Sequence, residues 1–324
     1  MVRRRPGSIF SKRSDGLDAI VYRSPSSTWD KVRYDPWLFV ARKAYAACTP
    51  QLPPLPPENQ DDSTARIVCI SDTHNLHDEV PPLPPGDILI HAGDLTATGS
   101  VREVDAALAW LHAAPHPHKI VIAGNHDRAL ENPTTRDTLL AQYPSLTYLE
   151  DTSALLTIRG RLLSVYGSPR TPLHGAGSFH YPYGAQPWAH VPAFTDILVT
   201  HGPPAFHLDN RRAGCPRLLE VLHRRRPALH VFGHIHASRG VECASYGRAQ
   251  AAYERVCRGK NRWQHTAKAL WLLGAALWAK VRGRPRFRRG EDTVLVNASS
   301  LGGFRDDLRR EAIVVDIPLP DRAS

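Results

Sequence analysis

The run "DILVTHGPP", residues 196–204, takes a short apolar stretch straight into His201 and then breaks at Gly202, Pro203 and Pro204. Branched Ile, Val and Thr suit an extended chain, and a glycine followed by two prolines stops it from continuing. A lone histidine at such a position is an ordinary strand end. The same ending recurs elsewhere in the chain, and that recurrence decides the reading.

Working outward, further short runs share this character: "RIVCIS" (66–71), "DILIH" (87–91), "KIVIAG" (119–124), "LLSVYG" (162–167), "LHVFG" (229–233), "TVLVN" (293–297) and "AIVVDI" (312–317). Their apolarity is continuous rather than alternating, as expected of strands covered on both faces. Between them lie helix-period stretches, "SVREVDAALAWLHAA" (100–114) with Ser100 and Glu103 spaced as a capping box, and "CPRLLEVLHRR" (215–225). Strands alternating with helices predict a layered α/β architecture.

Five strand ends carry polar residues of one kind. Asp72 and His74 follow the first, Asp94 the second, Asn125 and His126 the third, His201 the fourth, and His234 and His236 the fifth. Ligands of α/β sheets gather beyond the carboxyl ends of strands, so these residues can converge on one crevice although they span more than 160 positions. Turn chemistry alone does not demand carboxylate, imidazole and amide together. Two carboxylates, one amide and four imidazoles without a thiolate make a mixed N/O donor set, suited to Mn, Fe, Zn, Ni or Co rather than to Ca or a structural zinc. Seven donors exceed the needs of one ion. Two divalent ions sharing one carboxylate would use them all and would clamp an in-line displacement at phosphorus.

The ordered motifs "DTH", "GD", "GNHD", "THG" and "GHIH" resemble the five-block signature of the calcineurin-like metallophosphoesterases, over about residues 66–240 with "VNAS" near 297. Within that superfamily, "DILIHAGDLT", "GSPRTP", "THGPP" and "LHVFGHIH" resemble the metallophosphoesterase-domain proteins related to class III cyclic nucleotide phosphodiesterases. The resemblance implies a four-layer αββα sandwich of two mixed β-sheets flanked by helices. It also implies a dinuclear metal-dependent phosphoesterase. Asp72, His74 and His236 would hold one ion, Asn125, His201 and His234 the other, and Asp94 would bridge them. A metal-bridging hydroxide would attack the phosphorus while His126 steadies the phosphoryl oxygens or protonates the leaving oxygen. Asp127 is expected to orient a neighbour or cap a turn. Phosphodiesters are the expected substrates, with a phosphomonoesterase as the alternative. Arg170, Asn210, Arg211 and Arg212, on two loops, are candidates to touch the phosphate or base of a small phosphate ester or nucleotide.

The net charge of +10 is concentrated in one segment. Residues 243–290 hold twelve lysines and arginines against the single acid Glu254, so the rest of the chain carries about −1. This basic insert contains "AKALWLLGAALWAK" (267–280), whose apolar core is shorter than the roughly 20 residues needed to span a bilayer. Its tryptophans and basic flanks suit a helix at an anionic membrane surface. A helix packed on the domain with a solvated basic tail is an equal reading. Nucleic acid is not expected, for no recognised binding fold accompanies the charge.

Before the first strand, residues 1–64 comprise a basic arm, a helix over "DPWLFVARKAYAAC" (35–48) and a proline-rich linker. The domain boundary is placed there, with the catalytic domain at 65–320 and the basic helical insert within it. The N-terminus has no apolar core of a secretory signal, and five scattered cysteines without a C-x-x-C spacing fit reduced thiols. The expected location is therefore cytoplasmic, with peripheral membrane association as an option. A membrane-attached scaffold using the fold without catalysis is the competing reading of another class.

Overall fold

A computed structural model describes residues 35–52, 63–173, 177–182, 184–210, 213–259, 262–302 and 308–320, together with Trp29, Val32 and Arg33. Strands β1 (Thr64–Ile70), β2 (Ile88–Ala92), β3 (His118–Ile122) and β4 (Leu146–Tyr148) run parallel. Residues 152–168 form the hairpin of β5 (Thr152–Ile158) and β6 (Arg161–Ser168), followed by β7 (Ile197–Thr200), β8 (Leu229–Phe232), β9 (Gly240–Ala244), β10 (Thr293–Asn297) and β11 (Ile313–Pro318). One sheet has the order β11-β1-β2-β3-β4 and the other β9-β10-β8-β7-β6-β5. Each has a parallel centre: β1 to β4 in the first, and β10, β8, β7 and β6 in the second. Antiparallel strands close the edges at β11, β9 and β5. Both sheets are thus mixed.

Strand side chains alternate between faces, which builds the layers. Ile67 and Cys69 of β1, Ile88 and Ile90 of β2, and Ile120 and Ile122 of β3 face Val165, Ile197, Val199, Leu229, Val231, Val294 and Val296 of the second sheet in one apolar cluster. The intervening Val68, Ile70, Leu89 and Val121 pack outward on Val104, Ala107, Leu108 and Leu111 of helix α2 (Val101–Ala113). Tyr166, Leu198, Phe232 and Leu295 pack on Leu218, Val221 and Leu222, across the other outer face. Helix, sheet, sheet and helix therefore stack in four layers, as the resemblance implies. Strands covered on both faces bury nearly every side chain, hence the mostly apolar runs.

In chain order the helices are α1 (Pro36–Cys48), α2, α3 (Pro133–Leu140), α4 (Pro216–Arg225), α5 (Arg248–Arg258) and α6 (Arg262–Arg282). The start of α2 carries the capping box read from the sequence: Ser100 Oγ accepts from Glu103 N–H, and the Glu103 carboxylate accepts from Ser100 N–H. Asp35 caps α1 by accepting from Leu38 N–H at 2.9 Å. Helix α1 does not stand apart. Ala41, Ala44 and Tyr45 share an apolar cluster with Tyr253 and Val256 of α5 and with Ala269, Leu272 and Ala276 of α6.

The insert thus begins in the last residues of β9 and contains two helices, and among the described side chains only one face of α6 is packed. The basic stretch after α6 is largely exposed but anchored at two points. Arg284 donates to the carbonyl of Thr49, and Arg289 pairs with Asp196 and the carbonyl of Pro318. All five cysteines are free thiols. Among the described residues, no helix is long and apolar enough to cross a membrane.

Candidate metal centre

At the carboxyl ends of the parallel strands the backbone turns abruptly. Asp72, His74, Asp94 and His234 all have positive φ, between 42° and 65°, where non-glycine residues are uncommon. Such strain persists only where the surroundings enforce it, and it clusters at functional sites. Glycines make the close approach of the loops feasible. A Cβ on Gly124 would run into the Asp94 carboxylate, and one on Gly233 into that of Asp72. The two sheets are stitched together here, with Ser300 N–H donating to the carbonyl of Ser71 at 2.7 Å.

Three clusters of donor atoms result, the atoms of each within 4.8 Å of one another: Asp72, His74 and His236; His74, Asp94 and His126; and Asp94, His201 and His234. Asn125 joins the last, its Oδ1 lying 3.1 Å from His201 Nε2. All eight strand-end residues singled out from the sequence therefore meet in one place.

Their orientation suits metal binding. The Nδ1–H of His74 donates to the carbonyl of Thr96 (3.1 Å) and that of His201 to the carbonyl of Ala92 (2.9 Å). A histidine whose Nδ1–H is engaged offers Nε2 as its ligand atom. Both Nε2 atoms face Asp94 Oδ2, at 3.7 Å for His74 and 3.2 Å for His201. The other oxygen, Oδ1, accepts from His126 N–H at 2.9 Å. Asp72 accepts from His234 N–H (2.9 Å) and from Ser299 Oγ (2.8 Å), with His236 Nε2 3.4 Å away. Buried carboxylates and half-buried to buried imidazoles, with Asp72, Asp94, His74 and His201 each fixed by a second partner, fit an N/O-coordinated divalent ion.

The electrostatics agree. Burial opposes ionisation of Asp72, yet the hydrogen bond from His236 and the nearby charges of His236, His201 and His74 hold its carboxyl well below the usual range. Asp94 is likewise buried but lowered by His201 and His74. Burial works against a charged His201, but before an ion binds Asp94 overrides it and raises the imidazole to about 9, so a divalent ion taking Nε2 would have to displace that proton. Beneath the site, burial pushes His91 down to about 3, so it is neutral and holds Thr73 Oγ1 at 3.1 Å.

Around these donors lie residues whose importance the sequence understated. Asp127, fully buried, accepts from the N–H groups of Gly124 (2.8 Å), Leu95 (3.2 Å) and Thr96 (2.9 Å) and from Thr96 Oγ1 (2.7 Å). It ties the loop of Asp94 to that of Asn125. Ser299 and Asn297, just after and at the end of β10, support Asp72; only the quoted "VNAS" run hinted at them.

The substrate candidates fare differently. Arg170 is engaged by Asp151 (2.9 Å) and Glu150 (3.8 Å), outside the three clusters. Asn210 is exposed with φ 44°. Arg211 and Arg212 lie outside the described residues.

A profile of the calcineurin-like phosphoesterase family matches residues 65–238, and the chain belongs to that family. Its members are in general metal-dependent hydrolases of phosphoesters. Human metallophosphoesterase domain-containing protein 1 is 39% identical over 202 residues, covering 54% of this chain and 62% of its own. UPF0046 protein C25E10.12 of Caenorhabditis elegans is 37% identical over 206 residues, 56% of this chain and 72% of its own. The protein named probable rhamnogalacturonate lyase C of Emericella nidulans is 43% identical over 312 residues. That match covers 93% of this chain and 29% of that protein, so it extends well beyond the family-matched region. The chain spans less than two thirds of the human relative and of the Emericella protein.

Proposed function

We propose that the chain is a two-ion phosphoesterase that prefers phosphodiesters. The observation that carries this reading is the position of Asp94 Oδ2, which faces His74 Nε2 at 3.7 Å on one side and His201 Nε2 at 3.2 Å on the other. A single carboxylate oxygen is thereby offered to two clusters at once. Asp72, His74 and His236 would hold one divalent ion and Asn125, His201 and His234 the second, with Asp94 serving both. Mn, Fe, Zn, Ni and Co all suit these donors. When bound, the ions supply Lewis acidity toward phosphate oxygens and a water acidic enough to ionise near neutral pH.

The chain's own residues do the rest. His126 is fixed through its N–H to Asp94 and through Nδ1–H to the carbonyl of Ala97 at 2.8 Å. Its ring stands nearly perpendicular to that of His74, at 4.8 Å, on the exposed rim. From there Nε2 can reach a substrate oxygen, steadying the phosphoryl group or delivering a proton to the departing alkoxide. The diester preference rests on the motifs shared with the phosphodiesterase-related subgroup, and small phosphate esters or nucleotides are the substrate class.

The test compares hydrolysis of bis-p-nitrophenyl and p-nitrophenyl phosphate by the purified protein, with elemental analysis and a chelator control. Faster, chelator-sensitive turnover of the diester is expected. Faster turnover of the monoester would make it a phosphomonoesterase. No turnover of either ester with any of the five ions would sink the catalytic reading in favour of a scaffold.

A further inference from the structure

Helix α6 carries an apolar stripe that none of the described residues covers. Ala269, Leu272 and Ala276 point into the cluster with α1 and α5, at 0%, 0% and 7% exposure. Leu270, Trp271, Leu277, Trp278 and Val281 are 48–81% exposed. At 100° per residue these five fall within an arc of about 120°, opposite the buried stripe. The packed face holds the helix in register, so the exposed apolar stripe cannot roll inward.

Charge flanks that stripe. Lys280 lies at one border, and Lys268 and Arg282 lie at the other, with the Arg282 guanidinium 4.6 Å over the Trp278 ring. From Arg255 to Gly290 the sequence contains no acidic residue at all. We propose that α6 docks the protein flat on an anionic lipid bilayer, with the leucine, tryptophan and valine side chains in the acyl–headgroup boundary and the lysines and arginine among anionic headgroups.

Four considerations select this occupant. The helix cannot span a bilayer, which leaves the in-plane geometry of an amphipathic interfacial helix. Tryptophan and long basic side chains at the borders of an apolar stripe match the graded polarity of a membrane interface, since each has an apolar body and a polar end. A two-fold contact through α6 would set two basic, acid-free helices against each other, which like-charge repulsion disfavours. Nucleic acid would match the charge but leave the apolar stripe without a partner. The inference does not depend on catalysis.

The experiment uses the full chain and sedimentation with vesicles of phosphatidylcholine containing about 30% phosphatidylserine, against pure phosphatidylcholine vesicles. Two double variants change only exposed side chains: Trp271→Glu with Trp278→Glu, and Lys280→Glu with Arg282→Glu. Wild type should bind the anionic vesicles at least about tenfold more tightly than neutral ones, and each double variant should lose about tenfold or more. Thermal midpoints should stay unchanged. The proposal is overturned if the variants sediment like wild type. It is equally overturned if wild type ignores anionic vesicles, including the case where it self-associates and the tryptophan substitutions abolish that association, which would identify a second copy as the occupant.

Discussion

Replacing Asp127 by asparagine should loosen the metal centre without touching a ligand. One carboxylate oxygen, Oδ2, accepts from Gly124 N–H and Leu95 N–H; the other, Oδ1, accepts from Thr96 N–H and its hydroxyl. An amide of the same shape keeps one acceptor oxygen. In the cheaper orientation that oxygen stays with Gly124 and Leu95, and the new NH2 donates to the Thr96 hydroxyl, which turns round. Thr96 N–H then faces a donor in a fully buried site. An orphaned buried N–H costs about 1–3 kcal/mol, and loss of the charge weakens the two bonds that survive. The neutral amide is also relieved of the burial cost and the Asp94 repulsion that raise the Asp127 carboxyl, which offsets much of this loss and leaves roughly 1 kcal/mol of net stability. Because these bonds hold the loops of Asp94 and Asn125, affinity for a divalent ion should fall about 10- to 100-fold as well.

Burial, aided by the charge of Asp94, pushes the Asp127 carboxyl up to about 6, so work at about pH 8 keeps it ionised. Urea unfolding with chelator present reads stability separately from metal binding, and calorimetric titration with Mn or Zn reads affinity. An asparagine variant within about 0.5 kcal/mol of wild type, binding the ion equally well, would refute the assignment of Asp127 as the clamp between the two loops.

Two further outcomes separate ligands from bystanders. Asp94→Ala should remove bound metal and activity together, whereas His126→Ala should retain metal and lose about 10²- to 10⁴-fold in turnover; a His126 variant as active as wild type contradicts its role. Stability should also depend on pH through His207, which is fully buried, with Nδ1 2.6 Å from Glu242 and Nε2 3.5 Å from Glu254. Burial favours the neutral ring, but the Glu242 and Glu254 carboxylates override it and raise His207 to about 9. A raised histidine stabilises fully below its unfolded value of about 6.5 and loses that contribution as pH climbs through about 9, at most on the order of 3 kcal/mol. Urea midpoints across that window should fall in wild type and fall less in His207→Gln; parallel slopes would exclude the histidine as the cause.

Much of the site was legible before any coordinates. Each ligand stands just beyond an apolar run, and a glycine beside Asp94, Asn125, His201 and His234 announces a sharp turn, so local chemistry marked Asp72, His74, Asp94, Asn125, His201, His234 and His236 as a set. The capping box of α2 was equally local, depending only on residues three apart. Other features carry no local mark. Asp127 reads as one more turn residue, and three of its four donors come from Leu95 and Thr96, which only folding brings to it. Arg170 reads as a phosphate-binding guanidinium, but β6 places it beside Asp151 and Glu150.

The same division holds for the whole molecule. Side-chain order along the chain determined which segments are strands, which of their ends are polar and what chemistry those ends can support, because backbone propensity and donor type belong to single residues. Only the packing of two sheets decided that one oxygen of Asp94 faces both histidine clusters. Only the packing of α1 on α5 and α6 decided which stripe of α6 is buried and which is left bare. Those are relations between segments separated by tens to hundreds of residues, and they are set by the shared burial of apolar faces.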